Sequence, residues 1–135
     1  MDDDIHALLT TTQTWAVVGC SPDPARDSYR IAAMLQHRGF TIVPVNPSAS
    51  EILGAPCYPT VSDIPDDLQV DVVDIFRRSE AAGAHVDEAI AIGAKGVWLQ
   101  LGVIDHDAGK RARHAGLRVV MDRCPAIELP RLATG

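Results

Sequence analysis

The chain has 135 residues and a formal net charge of −6, with 12 basic against 18 acidic side chains. That length buries one substantial core, so a single domain over residues 1–135 is expected. The acidic balance excludes general binding to nucleic acid or to an anionic membrane, since both need a broad basic surface, but it admits a small anion wherever arginines gather.

The apolar runs are strand-sized, so no transmembrane helix is expected. The start, Met1-Asp2-Asp3-Asp4, lacks the basic residues and long apolar segment of a signal peptide, and a cytoplasmic protein is expected. Ile5 to Leu9 reads as a short helix with the acidic run at its positive end. Thr14 to Val18 is the first strand. A helix follows from about Ser28 or Tyr29 to His37, with Ile31, Met34 and Leu35 on one face and Gly39 as its stop. Phe40 to Val45 is the second strand, ended by Asn46-Pro47.

Ser48 to Pro65 reads mostly as loop, punctuated by Gly54, Pro56, Pro59 and Pro65, with a short helical turn at Ser62–Pro65. Val70 to Phe76 is the third strand and Glu80 to Ile92 a helix facing inward through Val86 and Ile90. Gly96 to Leu101 is the fourth strand. Asp105 caps a helix to about His114, and Leu117 to Met121 is the fifth strand. The tail from Asp122 to Arg131 carries no expected element.

Near-continuous apolar strands alternating with helices indicate a parallel sheet buried on both faces. The expected fold is α/β, a doubly wound parallel sheet of about five strands in the order 3-2-1-4-5. Ligands in such sheets sit at the carboxyl ends of the strands, where the winding reverses. That rule selects Gly19–Ser21, Val45–Pro47, Phe76–Arg78 and Gln100–Gly102.

The strand–loop–helix from Thr14 to Arg30 has the layout of a nucleotide site, yet after Gly19 the next glycine is Gly39. The G-x-G-x-x-G fingerprint is therefore absent. The acid that would bind a ribose 2′-hydroxyl at the end of the second strand is replaced by Asn46. Both departures weigh against NAD and favour another phosphate-bearing nucleotide. Arg26 and Arg30 flank the helix start, whose free N–H groups favour anions. Ser28 can cap that helix or bond a phosphate, and arginine supplies bidentate donors. Arg77 and Arg78 end the third strand. Gln100 is polar at a strand end, where packing alone gives no reason for it, and is read as a ligand contact; Gly102 follows it in the turn.

Three cysteines, Cys20, Cys57 and Cys124, are widely spaced and form no disulfide framework, and the five histidines form no close ligand pair, so no metal site is expected. Cys20 lies near a helix N-terminus, which can lower a thiol pKa, but cysteine is equally a small core residue. No catalytic residue is assigned.

Val17-Val18-Gly19-Cys20-Ser21, Pro44-Val45-Asn46-Pro47, Asp71-Val72-Val73-Asp74-Ile75-Phe76-Arg77, Trp98-Leu99-Gln100-Leu101-Gly102 and Asp122-Arg123-Cys124-Pro125 together resemble the small stand-alone CoA-binding proteins of bacteria and archaea. These are the YccU-like proteins, similar to the CoA-binding domain of the succinyl-CoA synthetase α subunit. The resemblance runs from about residue 14 to 131. It implies a Rossmann-like fold holding coenzyme A or an acyl-CoA, with the pyrophosphate near Gly19, Ser21 and Arg26, the adenosine end near Val45 and Asn46, and Arg77 beside the cofactor. The family often has alanine where this chain has Cys20, which raises disulfide exchange between Cys20 or Cys124 and the CoA thiol. The ligase subunit also uses a phosphorylated histidine in a further domain. None of His6, His37, His85, His106 or His114 sits in a matching motif, so ligase catalysis is not carried over.

The expected function is CoA binding in a non-catalytic or regulatory role. The rivals are a small NAD(P)-dependent or CoA-thiol redox enzyme using Cys20, and an interaction module with a vestigial pocket. A homodimer is compatible with each.

Overall fold

The computed structural model describes residues 2–134. Helix α1 (Asp3–Thr10) is capped by Asp2, whose carboxylate accepts the Asp4 N–H at 2.7 Å. The acidic start thus sits at the positive end of the helix dipole. Strand β1 (Thr14–Val18) is buried throughout. Helix α2 (Asp27–His37) leads to β2 (Thr41–Val45). The segment expected as loop holds a small antiparallel hairpin, β3 (Glu51–Ile52) and β4 (Ala55–Pro56), and a 3-10 turn at Val61–Asp63.

Strand β5 (Val72–Ile75), helix α3 (Ser79–Ala91), strand β6 (Gly96–Leu99), helix α4 (His106–His114) and strand β7 (Arg118–Val120) complete the alternation. Asp105 caps α4 as expected, accepting the Ala108 N–H at 3.0 Å. The tail folds as a further helix, α5 (Pro125–Thr134). Proline at its first position costs no hydrogen bond and has its φ already set for a helix.

The five long strands form one parallel sheet in the order β2-β1-β5-β6-β7. Counted among the sheet strands alone, this is 2-1-3-4-5. The expected order 3-2-1-4-5 is therefore corrected: the third sheet strand, β5, pairs with β1 and not with β2. The physical reason lies in Pro44. It has no N–H, so the outer side of β2 cannot carry a full ladder. That side is instead met by one short segment, where Tyr58 N–H donates to the Pro44 carbonyl at 3.1 Å and Asn46 N–H to the Tyr58 carbonyl at 2.9 Å.

Two apolar layers sandwich the sheet. On one face Val18, Val73, Ile75, Val97 and Leu99 pack against α3 and α4 through Val86, Ala89, Ala108 and Ala112. On the other, Trp15, Val17, Val72 and Trp98 pack against α1 and α2 through Leu8 and Leu35, with Leu129 of α5 at the margin. Trp15 and Trp98 are fully buried with ring centroids 5.5 Å apart. Their indole N–H groups are both satisfied, by Thr12 Oγ1 and by the Arg123 carbonyl, as buried indoles require. The winding reverses between β1 and β5, and in open parallel sheets ligands bind in the crevice above the carboxyl ends at such a point.

Candidate functional site

A cleft of about 550 Å³ opens at that switch point, lined by Gly19, Ser21, Arg26, Ser28 and Phe76, with Ala25 and Asp27 at its side. Gly19 makes it possible. Its φ is +79°, and a Cβ there would stand 2.4 Å from the Phe76 carbonyl oxygen and 3.4 Å from Arg77 Cδ. Only glycine lets the first loop lie against the end of β5. The same contact shows that the Arg77 side chain passes over the loop.

Ser28 does not cap α2. It is buried in the first turn, and its Oγ accepts the Ser21 N–H at 2.9 Å, tying the loop to the helix. The N-cap is Arg26, which provides no side-chain cap bond. α3 also begins on an arginine, Arg78, with no side-chain cap. By contrast, α1 and α4 are closed by Asp2 and Asp105. The two helices that begin just after the switch-point strands thus start with a cation and without a carboxylate cap, which leaves their amide ends for an outside anion.

The remaining expected residues divide by partner. Asn46 is a brace: its Nδ2 donates to the Cys20 carbonyl at 2.8 Å and its Oδ1 accepts the Ser48 N–H at 2.7 Å. Val45 is buried in β2, and its carbonyl accepts the Gly19 N–H at 2.9 Å. Arg30 turns back to Asp27 and to the Ala25 carbonyl, and so offsets the one carboxylate lining the cleft. Arg26 and Arg77 are exposed and make no ion pair among the described residues. Gly102 has φ +83° and forms the turn after β6, its N–H donating to Asp122 Oδ1 at 2.7 Å.

Gln100 has a structural reason for its place at the strand end. It is buried, and its Nε2 donates to Asp74 Oδ1. Its partner Asp74 lies in the middle of β5 and was not among the expected site residues. It is fully buried, its Oδ2 has no partner among the described residues, and burial raises its pKa from 3.8 to about 8 despite the Gln100 bond. The signal was present as one carboxylate inside the apolar run Val72-Val73-Asp74-Ile75.

Cys20 is fully buried beneath the loop. Burial first, then the nearby Cys57 thiol and Asp74, push its pKa up to about 12. The helix N-terminus does not make it a thiolate, contrary to the lowering considered from sequence. Cys57 is also buried, which raises its pKa, and its Sγ donates to the Asn46 carbonyl at 3.6 Å. No helix of the described residues is long and apolar enough to cross a membrane.

Residues 13–130 match the family described as a CoA binding domain. The uncharacterized protein YneT of Bacillus subtilis is 33% identical over 121 residues, covering 90% of this chain and 88% of YneT. A hypothetical protein from Pyrococcus horikoshii superposes with a TM-score of 0.91 at 41% identity, covering 98% of this chain and 92% of that one. The dinucleotide-forming acetyl-coenzyme A synthetase 1 of Ca. Korarchaeum cryptofilum, solved with phosphate and ADP, superposes with a TM-score of 0.72 at 29% identity over 86% of this chain and 27% of the synthetase. The similarity extends over nearly all of this chain but only part of the large enzyme, and on the family match the protein belongs to the CoA-binding domain family.

Proposed function

We propose that the protein binds coenzyme A or an acyl-CoA in the cleft between the first loop and the end of β5, as a binding or regulatory protein and not as an enzyme. The observation that carries this is the start of α2. An uncapped helix end with Arg26 at its N-cap opens onto a cleft beside the Gly19–Phe76 approach, and the Arg77 side chain lies against Gly19 at its edge. Such a site favours phosphate through N–H donors, dipole and guanidinium together.

In this reading the pyrophosphate lies against Gly19, Ser21 and Arg26. The adenosine lies toward Val45, Asn46 and the Gly54-Ala55-Pro56 turn. The Asn46 side chain is already bonded, so it shapes that end instead of reading the base. The protein works in the cytoplasm, where its three cysteines stay reduced.

A redox or thiol-transfer role for Cys20 is disfavoured, because a fully buried thiol with a pKa near 12 holds almost no thiolate at neutral pH. Calorimetry with CoA, acetyl-CoA, NAD and NADP tests the reading. CoA species bind with a Kd on the order of micromolar, about −8 kcal/mol. Heat from NAD and none from the CoA species would overturn it.

A further inference from the structure

Helix α4 turns one stripe of its surface over the outer strand β7. His106, Gly109, Lys110 and Arg113 recur at three- and four-residue spacing and share a face. Together with α1 and β7 they enclose a second cleft, of about 320 Å³. Gly109 lets the helix approach, since a Cβ there would already meet Met121 Cε at 3.0 Å. The floor is apolar, made by Val119, Val120 and Met121, with Ile5 of α1 as a wall.

The rim is cationic, in a chain whose net charge is −6. Lys110 and His106 are exposed and have no side-chain partner among the described residues. Arg123 is exposed and, among the described residues, donates only to the neighbouring Asp122 carbonyl, at 2.8 Å. Arg113 is fixed, donating to Asp4 Oδ2 at 2.9 Å and to the Val119 carbonyl at 3.2 Å. The acid lining the cleft, Asp2, is engaged as the cap of α1. The start of α4 is closed by Asp105, so no free amide cradle suits a phosphate here. Two exposed cations, Lys110 and Arg123, over an apolar floor suit a single negative charge on an apolar body.

We propose that this cleft is a second binding site, for a small organic carboxylate. The apolar body lies on Val119, Met121 and Ile5, and the carboxylate meets Lys110 and Arg123. The volume falls at the low end of small-molecule sites. β7 stands three strands from β1 in the sheet, roughly 14 Å at about 4.8 Å per strand. The site is thus separate from the switch-point cleft, and the proposal does not depend on CoA binding there.

An amide NMR titration tests it, with sodium hexanoate as the probe and with acetate and 1-hexanol as its two halves. Hexanoate shifts the signals of Ile5, Gly109, Val119 and Met121 saturably, with a Kd of about 1 mM, and each half binds about tenfold more weakly. Lys110→Glu with Arg123→Glu, both on the surface, weakens hexanoate by about tenfold or more while leaving thermal stability unchanged. Hexanoate binding no better than its halves, shifts that survive the double substitution, or shifts gathered at Gly19–Ser28 would each overturn the proposal. A failure of CoA to bind leaves this result as it stands.

Discussion

Gln100 Nε2 donates to Asp74 Oδ1 inside the sheet, while Asp74 Oδ2 has no partner among the described residues. Burial raises the Asp74 pKa from 3.8 to about 8, so the carboxyl is largely neutral in the folded chain near pH 7 and ionised in the unfolded one. The folded state holds the extra proton across that window. Its contribution to stability is full below about pH 4 and is lost as pH rises toward about 8. Asp74→Asn keeps the acceptor for Gln100 and cannot ionise. Wild type therefore loses stability relative to the variant across that window, by on the order of a few kcal/mol. Urea midpoints measured across the range read this out; parallel curves for the two proteins would refute it.

Gly19→Ala is expected to damage both stability and binding. The new methyl would face the Phe76 carbonyl at 2.4 Å and hold a strained φ of +79°. The loop must withdraw from β5, at a cost of about 1–3 kcal/mol. Thermal melts show the lost stability, and CoA affinity falls with it. A variant as stable as wild type would mean that the loop can relax without loss.

Arginine substitutions separate ligand contacts from local pairs. Arg26→Ala and Arg77→Ala each lower CoA affinity by about tenfold, roughly 1.4 kcal/mol. Arg30→Ala has a smaller effect, because Arg30 is already bonded to Asp27 and the Ala25 carbonyl. Calorimetry across the three variants gives the ranking. An Arg30 effect equal to the others would show that the Asp27 pair opens on binding.

Cys20 is expected to be inert. Iodoacetamide modifies partly exposed Cys124 first and leaves buried Cys20 unmodified until the protein unfolds. Cys20→Ala keeps CoA affinity within about twofold, since the thiol lies under the loop and not in the cleft lining. Peptide mass mapping of native protein decides this, and early labelling at Cys20 would restore the redox reading.

The sequence made most elements legible because their signals are local. Strand-length apolar runs, Asp105 before α4 and Gly39 after α2 each act within a few residues. Strand order depends on pairing between distant segments. The clue to it was Pro44, whose missing N–H marks β2 as an edge strand and thereby rules out a third strand beyond it. Helix α5 was hidden by its prolines, which read as punctuation although Pro125 opens the helix.

Proximity was legible where the strand–loop–helix layout decides it: Gly19, Ser21, Arg26 and Ser28 line one cleft. Hydrogen-bond partners were not legible. Gln100 looked free because its partner, Asp74, lies on a neighbouring strand, and Asn46 looked available although two backbone groups already hold its side chain.

The most direct measurement is an amide NMR titration of the protein with CoA. Saturable shifts largest at Gly19, Ser21, Ser28 and Arg77 are expected, since the first three line the cleft at the uncapped start of α2 and Arg77 lies against Gly19. Shifts absent at saturating CoA, or gathered away from the switch point, would contradict CoA binding in this cleft.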